Sequence, residues 1–318
     1  MIEEHRNDYD AGSIEKAERL IDLLSEIDRH PLLSKKVCLH GGTAINLFML
    51  KAPRLSTDAD ITYIGNAEKS AADDERPQIE NAIQDVGTFL GYNVTAAKGE
   101  IAGRTFRLRY RGSRGSDYVK IDINYLNRVA LLPPIRSKCA LDSNVLVTTL
   151  SREELIAGQT KALFDRVTVR DLYDISHLYS IMRELFDFAL EGEKMKLHRT
   201  IMFYAALSNL FPTKFSGLTE KRFVGRGKQV SDELYPVLRA DDKPTLDEMI
   251  RNAEAFVSEY VEPQDEAGKE YLKEFGAARF RPELLFKDWP EILAAAEISP
   301  SAKWKLLNLA KRPIADLA

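Results

Sequence analysis

The sequence predicts an α+β protein, a mixed sheet with helices in its first part and a helical region after it. Three observations carry this. Apolar and polar residues alternate in several short runs before residue 140, as half-buried strands require. From Ser151 onward apolar residues recur at helical spacing instead. Between a first short strand and a helix stands a glycine turn, Gly41-Gly42-Thr43. The halves are expected at 1–140 and 141–318. With no long Ser/Gly/Pro linker, repeat or low-complexity tract between them, they are expected to pack rather than hang on a tether.

Residues 12–29, "GSIEKAERLIDLLSEIDR", place Ile14, Ala17, Leu20, Ile21, Leu24 and Ile27 on one helical face. "KVCLH" is a strand, and "TAINLFML" a helix with Thr43 near its N-cap. "DADITYI" alternates as a strand. "ADDERPQIENAIQDVGTFLGY" predicts a helix that starts after Pro77 and is closed by Gly91. "NVTAAKG", "RTFRLRYRG" and "DYVKIDINYL" are strands, the last two joined by the turn "RGSRGSD". In "SREELIAGQTKALFDR" Ser151 and Glu154 form a capping-box pattern. "RDLYDISHLYSIMREL", "HRTIMFYAALSNLF", "TLDEMIRNAEAFVSEYV", "QDEAGKEYLKEFG" and "PEILAAAEISPSAKWKLLNLA" add further helical stretches.

Composition narrows the function. The 318 residues are 44% hydrophobic and 30% charged, with no apolar stretch long enough to cross a bilayer. The charged start "MIEEHRNDYDAGSIEKAERL" has no apolar core, so it is not expected to act as a secretory signal. Cys38 and Cys139 lie beside strand-like runs, which suits two buried thiols in a reducing cytoplasm, with a disulfide as the alternative. No Cys/His spacing suits structural zinc. The net charge of −4 argues against indiscriminate nucleic-acid binding. Positive charge is nevertheless concentrated: nine Lys/Arg and two acids lie between Arg104 and Lys138, and "EKRFVGRGKQ" holds Lys221, Arg222, Arg226 and Lys228.

Two aspartates give the chemistry. Residues i and i+2 of a strand share a side, so Asp58 and Asp60 stand together while Ala59, Ile61 and Tyr63 pack. In "VKIDINY" the same alternation puts Lys120 and Asp122 opposite Val119, Ile121 and Ile123. Three acids on strand faces repel one another unless cations neutralise them, and hard oxygen donors select Mg²⁺ or Mn²⁺. Two such ions bridging a nucleoside triphosphate and an attacking hydroxyl would support nucleotidyl transfer. The turn fits this chemistry: Gly41 and Gly42 let backbone N–H groups approach phosphate, the helix start favours negative charge, and Thr43 offers a hydroxyl. Each part alone has a plainer reading, as a tight turn, an exposed strand edge or a satisfied structural acid. Their order is what favours a metal site.

In "TFRLRYRG", Arg107, Arg109 and Arg111 line one strand face and Phe106, Leu108 and Tyr110 the other. Such a ladder suits the phosphates of an RNA, held by backbone contacts rather than base readout. A solvated strand face would need no function. In "VRDLYDI", Asp171 and Asp174 can share a helix face, as can Arg166 and Arg170. They are either charge pairs around a helix start or, for one of the acids, part of a site.

"LHGGTAINL", "RLSTDADITY", "VKIDINY", "EELIAGQTKALFDR" and "RDLYDI" resemble successive motifs of the AbiEii/MenT nucleotidyltransferase toxins, of the DNA polymerase β-like superfamily. "FRPELLF…WPEI…SPSAKWKLL" resembles the family's C-terminal helical region, so the resemblance spans nearly all of the chain. It implies a polymerase β-like nucleotidyltransferase core over 1–140 and a helical domain over 141–318 that closes a nucleotide and acceptor cleft. It also implies an NTP- and Mg²⁺-dependent toxin with a cognate antitoxin, in a toxin–antitoxin or phage-defence pair. In the MenT branch the acceptor is the tRNA 3′ end. Gly42, Thr43, Asp58, Asp60 and Asp122 match the catalytic set by position. Asp58 and Asp60 would hold both metals, and Asp122 one metal and the acceptor proton. The resemblance further places Asp171 or Asp174 at the nucleotide or at a helix–helix joint. One departure stands out. Similar proteins usually carry a nucleotide-contacting lysine where this chain has Gln159. Lys161 lies two residues on, about 200° further round a helix, and cannot substitute from the same face; either the helix register differs and Lys161 serves, or Lys120 or an arginine supplies that charge. Transfer to a small molecule or a protein, and a non-catalytic NTP- or partner-binding module, remain alternatives.

Overall fold

The structure, a computed structural model, describes residues 8–190, 192–213 and 215–311. It divides into two units, one spanning residues 1–151 with 235–243, the other 152–234 with 244–318. The first therefore reaches beyond the expected boundary at 140 and takes back a later segment.

In the first unit, α1 (Ala11–Arg29) starts at Asp10, whose carboxylate accepts from the N–H groups of Gly12 (2.9 Å) and Ser13 (3.1 Å). A short helix, α2 (Leu33–Lys36), leads into β1 (Val37–His40). Residues 41–49 form α3 and lead to β2 (Asp58–Tyr63). Helix α4 (Lys69–Phe89) begins well before Pro77, which lies inside it and is exposed. The carbonyl that Pro77 leaves without an N–H thus belongs to an exposed turn, where water can serve it. The early turns are also anchored: Glu75 accepts from Tyr63 Oη (2.6 Å) and Lys36 Nζ (2.9 Å). That tertiary support explains why the helix runs through a residue that reads as a start.

Strands β3 (Asn93–Ala96), β4 (Gly103–Gly112) and β5 (Gly115–Asn124) follow as expected. Two more strands, β6 (Ile135–Lys138) and β7 (Leu146–Thr149), were not read from the sequence. They move the unit boundary, since β7 pairs parallel with β1 through Leu39 and Thr149. The seven-stranded sheet has the order β3-β4-β5-β2-β1-β7-β6. Within it β2 runs antiparallel to β1 and parallel to β5, and β4 antiparallel to β5.

One face of this sheet buries Ala59, Ile61, Phe106, Leu108, Val119 and Ile121 completely or nearly so. Helix α4 packs there closely enough that a Cβ on Gly87 would lie 2.6 Å from Val94 Cγ2 and 2.9 Å from Leu108 Cδ2. Residues 235–243 join the same unit through Leu55 N–H donating to Val237 O (2.7 Å) and Arg239 Nη2 to Lys51 O (3.0 Å).

The second unit is helical: α5 (Arg152–Asp165), α6 (Val169–Leu185), α7 (Glu193–Ala206), α8 (Leu218–Phe223), α9 (Leu246–Phe256), α10 (Glu266–Gly276), α11 (Glu283–Phe286), α12 (Pro290–Ile298) and α13 (Pro300–Leu309). Phe164, Phe203, Phe211, Phe215, Phe256, Phe275 and Phe286 are buried within it. Arg222, counted above in a basic cluster, is structural: its Nη1 donates to the carbonyls of Leu163 (3.1 Å) and Phe164 (2.8 Å) at the end of α5. Cys38 and Cys139 are both buried thiols outside any disulfide. No helix among the described residues is long and apolar enough to cross a membrane.

Candidate active site

The alternation of β2 and β5 and their parallel register bring the acids together. Asp60 lies beside Asp122, and Asp58 beside Lys120. All four side chains stand on the face opposite the apolar core, and about a third of Asp58, Asp122 and Lys120 is exposed. Lys120 Nζ is 2.9 Å from Asp122 Oδ2 and 3.7 Å from Asp58 Oδ2. Burial works against its charge. The hydrogen bond to Asp122 and the fields of Asp58, Asp122 and Asp60 outweigh that, and hold the ammonium above the ordinary lysine range.

The glycine turn abuts these acids. His40, the last residue of β1, is paired with Asp60, and Gly41 follows at φ +70°. A Cβ on Gly41 would lie 2.6 Å from Asp60 Oδ2. Position 41 therefore excludes side chains twice, by backbone conformation and by the carboxylate in front of it. Helix α3 begins at Gly41 with His40 at its N-cap, so Thr43 sits in the first turn and not at the cap. The Thr43 hydroxyl is buried, donates to the backbone carbonyl of Asp58 and hydrogen-bonds Ser56 Oγ (2.7 Å). It is thus committed inside the protein rather than presented to a phosphate. What it does is fasten the first turn of α3 to the start of β2.

Two neighbours of the acids were missed in the sequence. Thr105 is opposite Asp122 across β4 and β5, and its hydroxyl donates to Asp122 Oδ1. Its place two residues before Arg107 on an alternating strand was the available signal. His40 had none, because only the β1–β2 register sets it against Asp60. A cavity of about 300 Å³ opens beside these groups, lined by His40, Asp60, Lys98, Thr105 and Asp122.

Arg107, Arg109 and Arg111 do form an exposed ladder, on the Asp122 side of β4. Arg107 faces Lys120 directly and lies 6.0 Å from the Tyr118 ring centroid. No carboxylate among the described residues pairs with the three guanidiniums. Arg104, on the other side of the strand, is bound to Glu80 and to the carbonyl of Ala97 (3.1 Å).

The candidate residues of the helical unit are engaged internally. Lys161 pairs with Asp165 one turn on. Gln159 is buried, and its Nε2 donates to Asp171 Oδ1 (2.9 Å) and Asp174 Oδ2 (3.0 Å). Asp171 also accepts from Arg166 Nη2 (2.8 Å) and the Thr168 hydroxyl (2.6 Å). Thr168 in turn caps α6, accepting from the Asp171 N–H (3.2 Å). Arg166 therefore precedes the helix and shares no helical face with Arg170, whose Nε donates to Glu233 O (3.2 Å). Asp171 and Asp174 do share a face, but one closed over by Gln159.

The donor chemistry of Asp58, Asp60 and Asp122 fits a hard divalent cation, being all carboxylate oxygen on adjacent strands. Among the described residues no three such groups are already gathered tightly enough to hold an ion, and Lys120 stands between two of them.

A mixed sheet with three acids on its open face, next to a glycine-led helix, has the parts that the resemblance to nucleotidyltransferases implies. The chain belongs to the nucleotidyl transferase AbiEii toxin family of type IV toxin–antitoxin systems, whose model matches residues 22–295. Its fold is similar to that of JHP933 from Helicobacter pylori (14% identity, TM-score 0.51, covering 79% of this chain and 92% of that one). It is also similar to MenT4, a nucleotidyltransferase toxin from Mycobacterium tuberculosis (12% identity, TM-score 0.51, covering 90% and 92%). No curated protein sequence matches significantly.

Proposed function

We propose that the protein is a divalent-metal-dependent toxin that transfers nucleotides from an NTP to an RNA acceptor, the 3′ end of a tRNA. The observation that carries this is the juxtaposition, on one sheet face, of the three acids with the unpaired arginine ladder. Anionic metal ligands and a strip of cations on one surface suit a reaction between two phosphate-bearing substrates. MenT4, similar in fold, is named a nucleotidyltransferase toxin, and this reading extends such an activity to the present chain.

In this reading Asp58, Asp60 and Asp122 would hold Mg²⁺ or Mn²⁺, which would neutralise charge developing on the phosphate and lower the pKa of the acceptor hydroxyl. Gly41 and Gly42 line the triphosphate at the start of α3, where backbone N–H groups and the helix dipole favour anions. Thr43 acts at one remove, by fixing Asp58. Asp122 Oδ2, once Lys120 moves off it, would take the proton of the acceptor hydroxyl as that oxygen attacks the α-phosphorus and pyrophosphate leaves. Arg107, Arg109 and Arg111 hold the RNA backbone. A cognate antitoxin, a cytoplasmic site of action and a place in phage defence complete the proposal.

The test is incubation with labelled NTPs and Mg²⁺, using total RNA, then protein, then an aminoglycoside as acceptor. Label at the 3′ end of tRNA is the expected result. Label on protein or on the small molecule alone would replace the RNA reading, and no label on any acceptor would point to a binding module.

A further inference from the structure

Resting on the metal-site reading above, we infer that Lys120 is a built-in counter-cation. It neutralises Asp58 and Asp122 while no divalent ion is bound, and moves to the nucleotide's phosphates when one enters. The geometry carries this. A single ammonium lies 2.9 Å from one carboxylate and 3.7 Å from the other, in the space an ion shared by both would need. Two cations cannot occupy that space together, because their repulsion at such distances is large in a partly buried site. One must leave, and Lys120 can. Its long stem rises from β5 on the open face, and about a third of the side chain is exposed, so moving it uncovers no core.

Its resting place is enforced from the other side. Arg107 stands directly opposite across β4 and β5, and like charges so placed repel, pressing the ammonium toward the acids. Thr105 holds the other oxygen of Asp122, so that carboxylate does not follow the lysine out. The ion alone must therefore compete with a tethered cation, whereas an ion arriving with a triphosphate brings the lysine a new partner. Lys120 would thus make metal binding depend on nucleotide, a coupling of the ordinary allosteric size, about tenfold.

The experiment is a Mn²⁺ titration without nucleotide, followed by electron paramagnetic resonance of the free ion, on the full-length chain. Lys120→Met should bind Mn²⁺ about tenfold more tightly than wild type. Lys120→Arg, which keeps the charge, should stay as weak as wild type. Asp58→Asn added to Lys120→Met should abolish the gain. Circular dichroism establishes that each variant is folded, and Lys120→Gln replaces Lys120→Met if that one is not. Binding by the uncharged variants that is no tighter than wild type overturns the counter-cation role. If the gain appears but survives Asp58→Asn, the ion sits elsewhere and the metal-site reading itself fails.

Discussion

The carboxylate of Asp60 rests against the bare backbone of Gly41, where a Cβ would come within 2.6 Å of Oδ2. The turn and the acid were separate features of the sequence, and the fold makes each depend on the other. Gly41→Ala should therefore cost about 1–2 kcal/mol for the left-handed backbone and also push Asp60 aside. Displacing a reacting group by about 1 Å can cost on the order of a hundredfold in rate. Activity should fall by far more than the shift in thermal unfolding explains, and parallel losses would make Gly41 merely structural.

Asp58→Asn and Asp60→Asn should each lower nucleotidyl transfer by about a thousandfold or more while the unfolding transition stays cooperative. Expression of the wild-type chain should slow bacterial growth, and Asp60→Asn should relieve it. Persistent growth arrest with the inactive variant would show that toxicity has another source.

Replacing Arg107, Arg109 and Arg111 together by Gln keeps side-chain bulk and removes the ladder's charge. RNA affinity should fall, and the slope of its logarithm against that of salt concentration should flatten by about one for each lost phosphate contact. NTP affinity should barely change. Paired RNA and NTP titrations at several salt concentrations make the comparison. An unchanged RNA slope would return the arginines to a plain solvated face.

The Gln159 amide reaches both Asp171 and Asp174. Gln159→Leu leaves two buried carboxylates each short of a hydrogen bond, and should destabilise the protein by about 2–3 kcal/mol in urea unfolding. Gln159→Lys, whose ammonium can reach both acids, should retain most of the stability.

Asp265 caps α10 by accepting from the Gly268 N–H (2.8 Å) and pairs with the buried Arg199. Burial would raise its pKa, but the Gly268 hydrogen bond and the Arg199 charge prevail and hold it below the ordinary range. A depressed folded pKa means stability that is complete above the unfolded carboxylate value and lost as pH falls through the folded one. Asp265→Ala should cost about 1–2 kcal/mol at neutral pH, given a carboxylate that is partly exposed. The gap to wild type should narrow as unfolding is measured at progressively acidic pH, and a gap constant with pH would exclude the carboxylate's charge as its source.

Much of the active face was legible in the sequence because strand alternation is strictly local. A period of two places Asp58 with Asp60, Lys120 with Asp122, and Arg107 with Arg109 and Arg111, whatever the rest of the chain does. Strand order and register are not local. Only the parallel pairing of β2 with β5 sets Asp60 beside Asp122 and Lys120 between two carboxylates, and only the β1–β2 pairing sets His40 against Asp60. The same divide explains the corrections. Pro77 reads as a helix start because propensity ignores the anchor that Tyr63 and Lys36 give Glu75. Strands β6 and β7, no shorter than the legible β1 and β3, went unread and are defined by their long-range partners. Thr43 looks like a phosphate donor until the fold brings Asp58 within its reach, and Gln159 looks like a lost lysine until two aspartates close on it. Residue type and spacing determined which groups could do chemistry. Long-range pairing and burial, which no short window of sequence contains, decided which of them stand in the open and which are spent holding the others in place.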